Sequence, residues 1–199
     1  MVRLRQQFRG RIAGVGSTSG IRVVVGDWLE TPMGPFADAM VETAAGHRVL
    51  LAPHQDAADF ISATYSFDET RIEPFEVTGT WQVRSSPLSL DLTVGGRTPL
   101  GLALSAVPRR IAESPAWCTI TDPVARVALG GVRTRGTAGN DRREWYGATD
   151  TRRVTAMSGT FDGVDLGRLA EVDPPCRFGF SSTPKRPSVT SVVTTVELR

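Results

Sequence analysis

The chain has few of the residues on which metal-dependent and nucleophilic chemistry depends. It contains two histidines, two cysteines and one lysine, Lys185, among 199 residues. Zinc sites need three or four converging nitrogen or sulfur ligands, yet His47 and His54 have no cysteine or third histidine near them. No Gly-x-Ser-x-Gly elbow stands at a predicted strand–helix junction. We therefore expect no metal, no cofactor and no Ser-His or Cys-His hydrolase site.

Long apolar runs and an excess of one charge are also missing. No run approaches the roughly 18 apolar residues of a membrane helix, and the N-terminal arginines are not followed by the apolar region of a secretory signal. The net charge is only +2, whereas nucleic-acid binding needs clustered positive charge. Cys118 and Cys176 lie far apart and are expected to be reduced and buried. The interpretation is a cytoplasmic protein without a transmembrane segment or nucleic-acid partner.

What the chain does contain is a series of short apolar runs separated by glycine and proline. Hydrophobic residues make up 40% and charged residues 22%, which is typical of a soluble domain, and the length fits one domain over residues 1–199. The stretch Val23 to Pro53 predicts three strands joined by tight connections. The arginine-rich segment Val2 to Arg11 is interpreted as an edge strand, where charge discourages pairing with other chains.

The clearest alternation lies between residues 88 and 104. Leu88, Leu90 and Leu92 share one face of a predicted strand. Gly95-Gly96 follows as a turn, and Leu100, Leu102 and Leu104 continue the pattern, which predicts a β-hairpin. 

Two short helices are predicted among the strands. Gln55 to Ala63 has apolar residues at helical spacing and an acid in its first turn. Asp122 is expected to cap a second helix whose first residue is Pro123.

About ten or eleven strands and two or three short helices define the expected fold class. Sequential hairpins without long alternating helices exclude a doubly wound α/β sheet. The prediction is a mainly β protein, an antiparallel barrel that is lipocalin-like in general form and capped by the helices. A two-sheet β-sandwich is the alternative.

Two carboxylates are the candidates for acid–base chemistry. Asp38 lies on the same strand face as Phe36 and Met40, and Glu144 lies beside Trp145 and Tyr146. A carboxyl group buried among aromatic rings has a raised pKa and can transfer protons near neutral pH. The alternative is that Asp38 and Glu144 form ordinary ion pairs across neighbouring strands, with Arg22, Arg48 or Arg143 as partners.

A binding role is the leading hypothesis for function. A barrel interior lined by Trp28, Trp145 and Tyr146 would hold a small apolar or amphipathic ligand, and Arg143 or Arg22 would meet a carboxylate or phosphate head. The competing hypotheses are a metal-independent enzyme that uses Asp38 or Glu144, and an assembly protein that forms a homodimer. A cavity with an unpaired buried carboxyl group would favour the enzyme, a cavity without a titrating group would favour the carrier, and a filled barrel with an apolar outer patch would favour assembly.

Overall fold

A computed structural model describes residues 5–129 and 132–198 of the chain. The protein is mainly β, with 47% strand and 18% helix. The described strands are β1 (Arg5–Ser17), β2 (Arg22–Glu30), β3 (Phe36–Glu42), β4 (Arg48–Ala52), β5 (Glu69–Ile72), β6 (Glu76–Val77), β7 (Gln82–Arg84), β8 (Leu88–Arg97), β9 (Arg135–Thr137), β10 (Arg143–Phe161), β11 (Val164–Asp165), β12 (Leu169–Ala170) and β13 (Ser188–Glu197). The α-helices are α1 (Gln55–Ser62), α2 (Pro99–Ser105), α3 (Arg109–Ala112) and α4 (Pro115–Ala128), and a 3-10 turn covers Gly139–Asp141.

The described strands all belong to one curled sheet. Ten of them follow the order β5-β4-β3-β2-β1-β13-β10-β8-β7-β6, while β9 and β11 pair with β10 and β12 pairs with β1. Neighbours are antiparallel except for β4 and β5, which are parallel. Within residues 5–129 and 132–198 the two end strands of this order, β5 and β6, do not pair with each other, so the sheet is a half-barrel. The mainly β prediction is confirmed, and the sandwich of two separate sheets is not what forms.

The N-terminal strand is central, so the prediction of an edge strand is wrong. β1 pairs with β13 from Arg5 to Gly14 and with β2 from Arg9 to Gly16. Its arginines tolerate this position because carboxylates on the neighbouring strands meet them: Arg5 bonds Glu197 and Arg11 bonds Asp27. The predicted residues Val2 and Leu4 lie outside the described residues.

The predicted hairpin after residue 88 is also wrong. β8 continues through Gly95-Gly96 to Arg97, and α2 begins at Pro99. Thr98 caps the helix, because its Oγ1 accepts the backbone N–H of Gly101 at 3.0 Å, and proline is favoured in a first helical turn. Leu100 and Leu104 are four residues apart and therefore also fit a helical period.

Of the two predicted helices, the first is confirmed and the second is longer than expected. α1 begins after His54, whose Nδ1 accepts the backbone N–H of Ala57. α4 begins seven residues before Asp122, after the cap Ser114, and Pro123 lies inside it. Asp122 instead receives bonds from Arg133 and from the backbone N–H of Thr134. Among the described helices none has the length and apolar character needed to cross a bilayer.

β10 is one long, bent strand of 19 residues. Its first half pairs with β13 and its second half with β8. A register shift between Ala148 and Asp150 marks a bulge, and bulges bend a strand and increase its twist. This bend lets one strand connect the two halves of the curled sheet.

The main apolar core lies on one face of the sheet. It gathers Val15 of β1, Val25 of β2 and Val41 of β3 with Leu88 and Leu90 of β8, all almost fully buried. Because side chains alternate along a strand, the neighbouring positions of β1, β2 and β3 point to the opposite face. That second face carries the candidate site.

Candidate functional site

A cavity of about 350 Å³ lies against the second face of the sheet. The strands line one side of it and α1, α2, α4 and residues 176–184 line the other, mostly with apolar side chains. Leu100 and Val124 are 40% and 67% exposed and lie at its rim. The strand residues on its wall are Phe8, Ile12 and Gly14 of β1, Val24, Gly26 and Trp28 of β2, Phe36, Asp38 and Met40 of β3, Glu144, Tyr146, Ala148 and Thr151 of β10, and Ser188, Thr190, Val192, Thr194 and Val196 of β13.

The cavity is not the interior expected for a strand-walled barrel. Strand alternation separates it from the main core: Val23 and Val25 are in that core, while Val24 and Gly26 line the cavity. The enclosing elements opposite the strands are helices and the segment 176–184.

Asp38 is buried in the cavity wall with one side-chain hydrogen-bond donor among the described residues. It is 2% exposed, and Trp28 Nε1 donates to its Oδ1 at 2.8 Å. Burial raises the pKa of the Asp38 carboxyl group to about 7, and the bond from Trp28 opposes this rise. The hypothesis of a buried, pKa-shifted carboxyl group therefore fits Asp38.

Gly26 makes room for the Asp38–Trp28 pair. A Cβ atom at this position would lie 2.4 Å from Trp28 Nε1 and 2.5 Å from Asp38 Oδ1. Gly26 is directly opposite Asp38 in the register of β2 and β3. Only a residue without a side chain fits beneath the two polar groups.

Gly26→Ala is expected to break this hydrogen bond and to lower the free energy of unfolding by about 1–3 kcal/mol, as overpacking does in a close-packed site. Urea unfolding measures the loss. Gly96→Ala in β8 is the matched control, because nothing lies within 4 Å of a Cβ there. Equal stabilities of the two variants would contradict the tight fit described for Gly26.

Glu144 lies on the same wall in a cluster with two tyrosines. The hydroxyls of Tyr65 and Tyr146 lie 3.1 and 2.8 Å from Glu144 Oε2 and 2.7 Å from each other. Glu144 is 1% exposed. Burial raises the pKa of its carboxyl group to about 7, while the tyrosine hydroxyls and the charge of Arg142 act in the opposite direction.

The oxygens of this cluster can be hydrogen-bonded in either protonation state of Glu144. With an ionised carboxyl group, Tyr146 donates to Oε2 and Tyr65 donates to the Tyr146 hydroxyl. A protonated carboxyl group adds a third hydrogen, so that each oxygen donates to the next around a ring.

Tyr65 connects the two carboxyl groups electrostatically. Burial raises its pKa well above the ordinary value, and the charges of Glu144 and Asp38 add to this rise. Burial and Glu144 also raise the pKa of Tyr146. Both phenols therefore stay neutral hydrogen-bonding groups.

Folding stability should fall as pH rises from 5 to 8. The folded pKa values of Asp38 and Glu144 lie above their ordinary values, so between those values the folded state holds protons that the unfolded state has released. The loss should be about 2 kcal/mol for each group over this range. Urea unfolding at several pH values measures the slope, and Asp38→Asn and Glu144→Gln should each flatten it.

Asp68→Asn is the control for this slope. Asp68 is exposed, and its hydrogen bonds with Arg48 hold the pKa of its carboxyl group well below the usual range. Because Asp68 is ionised throughout pH 5–8, its replacement should leave the slope unchanged. An unchanged slope in the Asp38→Asn, Glu144→Gln double variant would contradict the assignment.

Among the described residues, neither Asp38 nor Glu144 forms an ion pair with an arginine, and two of the three expected partners are bonded elsewhere. Arg22 pairs with Glu42 at 3.0 Å, and Arg48 pairs with Asp68 at 2.9 Å. Arg143 is exposed.

The predicted ligand-binding residues divide into two groups. Trp28 and Tyr146 line the cavity. Arg143 and Trp145 are not among its lining residues. They alternate along β10 with Glu144 and Tyr146 and therefore point to the opposite face of the sheet. The guanidinium group of Arg5 lies 5.7 Å from the centre of the Trp145 ring. On the described wall the one basic residue is Arg133, whose guanidinium group bonds Asp122.

Tyr65 and Thr194 are site residues that the sequence did not reveal. Tyr65 lies just after α1 and meets Glu144 across 79 positions of sequence. Thr194 is 5% exposed on the cavity wall, and its Oγ1 has no hydrogen-bond partner among the described residues. Alternation with Val192 and Val196 was the one available signal for Thr194, and it required knowing which face of β13 borders a cavity.

The cysteines and histidines do not form a reactive centre in the described part of the chain. Cys118 and Cys176 are free and buried, as predicted, and burial raises the pKa of their thiols to about 11 and about 12. His47 is half exposed and contacts Glu69. Residues 5–129 and 132–198 contain no group of three His, Cys, Asp or Glu side chains placed to hold a metal ion.

Comparisons of the chain with protein-family models, with curated proteins and with solved structures find no match.

Proposed function

We propose that the protein binds a small, largely apolar ligand in the cavity between the half-barrel and the helices. The observation that carries this proposal is a cavity of about 350 Å³ lined mostly by apolar and aromatic side chains with a few polar groups. Ligand sites in proteins are typically apolar concavities of this size with a small number of placed polar groups.

The rim supplies a second argument for an apolar ligand. Ile120 and Val127 are 68% and 86% exposed on α4, four residues before and three residues after the rim residue Val124, and so lie on the same helix face. An exposed apolar stripe of this kind marks a binding surface. A ligand that enters the cavity past α4 would contact these apolar side chains.

Native mass spectrometry of the purified protein, followed by organic extraction, tests the proposal. The expected result is a stoichiometric apolar molecule, or binding of the neutral fluorescent probe N-phenylnaphthylamine where no molecule co-purifies. Trp28→Ala should weaken retention, because Trp28 lines the cavity. A protein that carries no molecule and leaves the probe fluorescence unchanged would overturn the proposal.

Metal-independent acid–base catalysis is the second candidate function. Its supporting observation is that Asp38 and Glu144 both border the cavity, have no arginine bonded to them among the described residues, and have their pKa raised to about 7 by burial. Groups that titrate near neutral pH suit general acid–base chemistry. Once a bound molecule is identified, its chemical conversion by the protein, abolished in Asp38→Asn, would favour the enzyme over the carrier.

Homodimer formation stays a prediction. The edges of the described sheet are β5 and β6, which have four and two residues, so strand pairing between two copies would rest on short segments. Size-exclusion chromatography with light scattering measures the mass directly.

A further inference from the structure

Resting on the proposed binding function, we propose that the ligand is an amphipathic cation, whose basic nitrogen pairs with Asp38 and whose apolar body fills the cavity. This assigns a chemical class to the ligand. It also reverses the expectation that an arginine would hold a carboxylate or phosphate head.

The charges on the cavity wall are the first argument for a cationic ligand. Two acidic side chains, Asp38 and Glu144, face the cavity, and the basic residue of the described wall, Arg133, is bonded to Asp122 at 3.1 Å. An anionic head would therefore meet two carboxyl groups and no uncommitted guanidinium group. Burying an ion requires an opposite charge, and on this wall only a cation would find one.

Asp38 is better suited than Glu144 to receive that cation. Glu144 has both tyrosine hydroxyls within hydrogen-bond distance of one oxygen, whereas Asp38 has the single donor Trp28 Nε1. A carboxylate accepts at two oxygens, so Asp38 retains capacity for a second donor. A ligand ammonium group would supply it.

Aromatic rings that line the same cavity as Asp38 are the second argument for a cationic ligand. Phe36 lies opposite Trp28 in the register of β2 and β3, and Phe8 contacts Trp28 edge-on at 6.2 Å and Phe60 at 4.7 Å between ring centres. All four rings line the cavity. Faces of aromatic rings attract cations, and aromatic cages recognise ammonium groups. The guanidinium group of Arg142 already lies over the Phe60 ring at 4.8 Å, which leaves Phe8, Trp28 and Phe36 for a ligand. A carboxylate on a wall with these rings favours a basic nitrogen over a neutral head.

Binding of such a ligand is coupled to the protonation of Asp38. An alkylammonium group stays charged from pH 6 to pH 8, as lysine does, while Asp38 changes from mostly neutral to mostly ionised. In the described part of the chain, the other titratable or charged groups near this region are Tyr65 and Glu144, with Tyr146 and Arg142 beside Glu144. Further groups are Cys176 on the opposite wall with the Arg22–Glu42 pair beside it, the Arg133–Asp122 pair, and His54, whose ring packs on Phe36.

Three probes with the same eight-carbon chain test the proposal: octylamine, octanol and octanoate. Their affinities are measured by displacement of N-phenylnaphthylamine at pH 6 and pH 8. We expect octylamine to bind at pH 8 about tenfold or more tighter than octanol, since about nine tenths of a group with a pKa near 7 is then ionised. The octylamine affinity should fall about tenfold at pH 6, and octanol should change little.

Asp38→Asn should remove both the preference for octylamine over octanol and the pH dependence of octylamine binding. Asp56→Asn is the matched control, because Asp56 is exposed in the first turn of α1. Tighter binding of octanoate than of octylamine, or equal affinities of octylamine and octanol for the wild-type protein, would overturn the proposal while the binding function stands. If neither the fluorescent probe nor any of the three compounds binds, the proposed function and this inference both fail.

Discussion

Ala148→Trp is expected to weaken binding of N-phenylnaphthylamine by about 100-fold or more, equivalent to about 2.7 kcal/mol of binding free energy. Ala148 lies on the cavity wall in β10, opposite Val192 of β13. An indole ring at this position would project into the cavity from the sheet and occupy the volume that a ligand needs. Fluorescence titration of the probe measures the change.

Ala156→Trp is the matched control for this variant. Ala156 is in the same strand but exposed, and it is not among the residues that line the cavity. It should bind the probe as the wild-type protein does. Ile12→Trp, from the wall in β1, tests the same volume from another strand if the first variant folds poorly. Unchanged affinity in a folded Ala148→Trp or Ile12→Trp protein would show that the probe binds elsewhere.

Glu42→Ala should lower the free energy of unfolding by about 3–5 kcal/mol, the usual effect of removing one partner of a buried ion pair. Glu42 is fully buried and bonds Arg22, which is 4% exposed. It also accepts three hydrogen bonds from Arg177, one from the backbone and two from the guanidinium group. Without Glu42, the charge of Arg22 would stay buried without compensation. Urea unfolding measures the loss.

The same carboxylate fixes part of the cavity cover. Arg177 lies between Cys176 and Phe178, which both line the cavity, so loss of its bonds to Glu42 should also loosen this segment. We expect Glu42→Ala to weaken probe binding as well as stability. Hydrogen exchange of residues 176–180 would measure the loosening.

Two further variants test whether the burial of the unpaired charge causes the loss of stability. Glu30→Ala is the control, because Glu30 pairs with Arg9 through a side chain that is 76% exposed, and exposed pairs contribute about 1 kcal/mol or less. Replacing both partners, as in Glu42→Leu with Arg22→Met, should recover much of the stability, because no charge then remains buried. Equal losses for Glu42→Ala and Glu30→Ala would contradict the role assigned to Glu42.

The alternation of apolar residues was sufficient to predict the strands that are joined by short connections. Val23 to Pro53 predicted three strands, and β2, β3 and β4 follow in that order as antiparallel neighbours. The same rule failed at Leu100, Leu102 and Leu104, because residues two apart and four apart both fit part of the pattern. The cap Thr98 and the proline at position 99 favour a helix, and α2 begins there.

The candidate site could be predicted in part. Asp38 and Trp28 share a cavity wall because they stand ten residues apart on adjacent strands that turn tightly. Glu144 and Tyr146 share it because they are two apart on one strand. Tyr65, Thr194 and the Glu42–Arg177 contact come from segments that only folding brings together.

The sequence by itself determined the mainly β class, the local strand pairs and the placement of two carboxyl groups among aromatic residues, because periodicity and turn chemistry act over a few residues. Only the tertiary structure decided that β1 is central, that the sheet stays a half-barrel, and that Arg22 pairs with Glu42 and not with Asp38. These outcomes depend on which distant strands become neighbours and on which charges must be compensated once buried. In the described part of the chain Asp38 therefore faces a cavity without a basic partner, because the sheet order places Arg22 beside Glu42 and Arg48 beside Asp68.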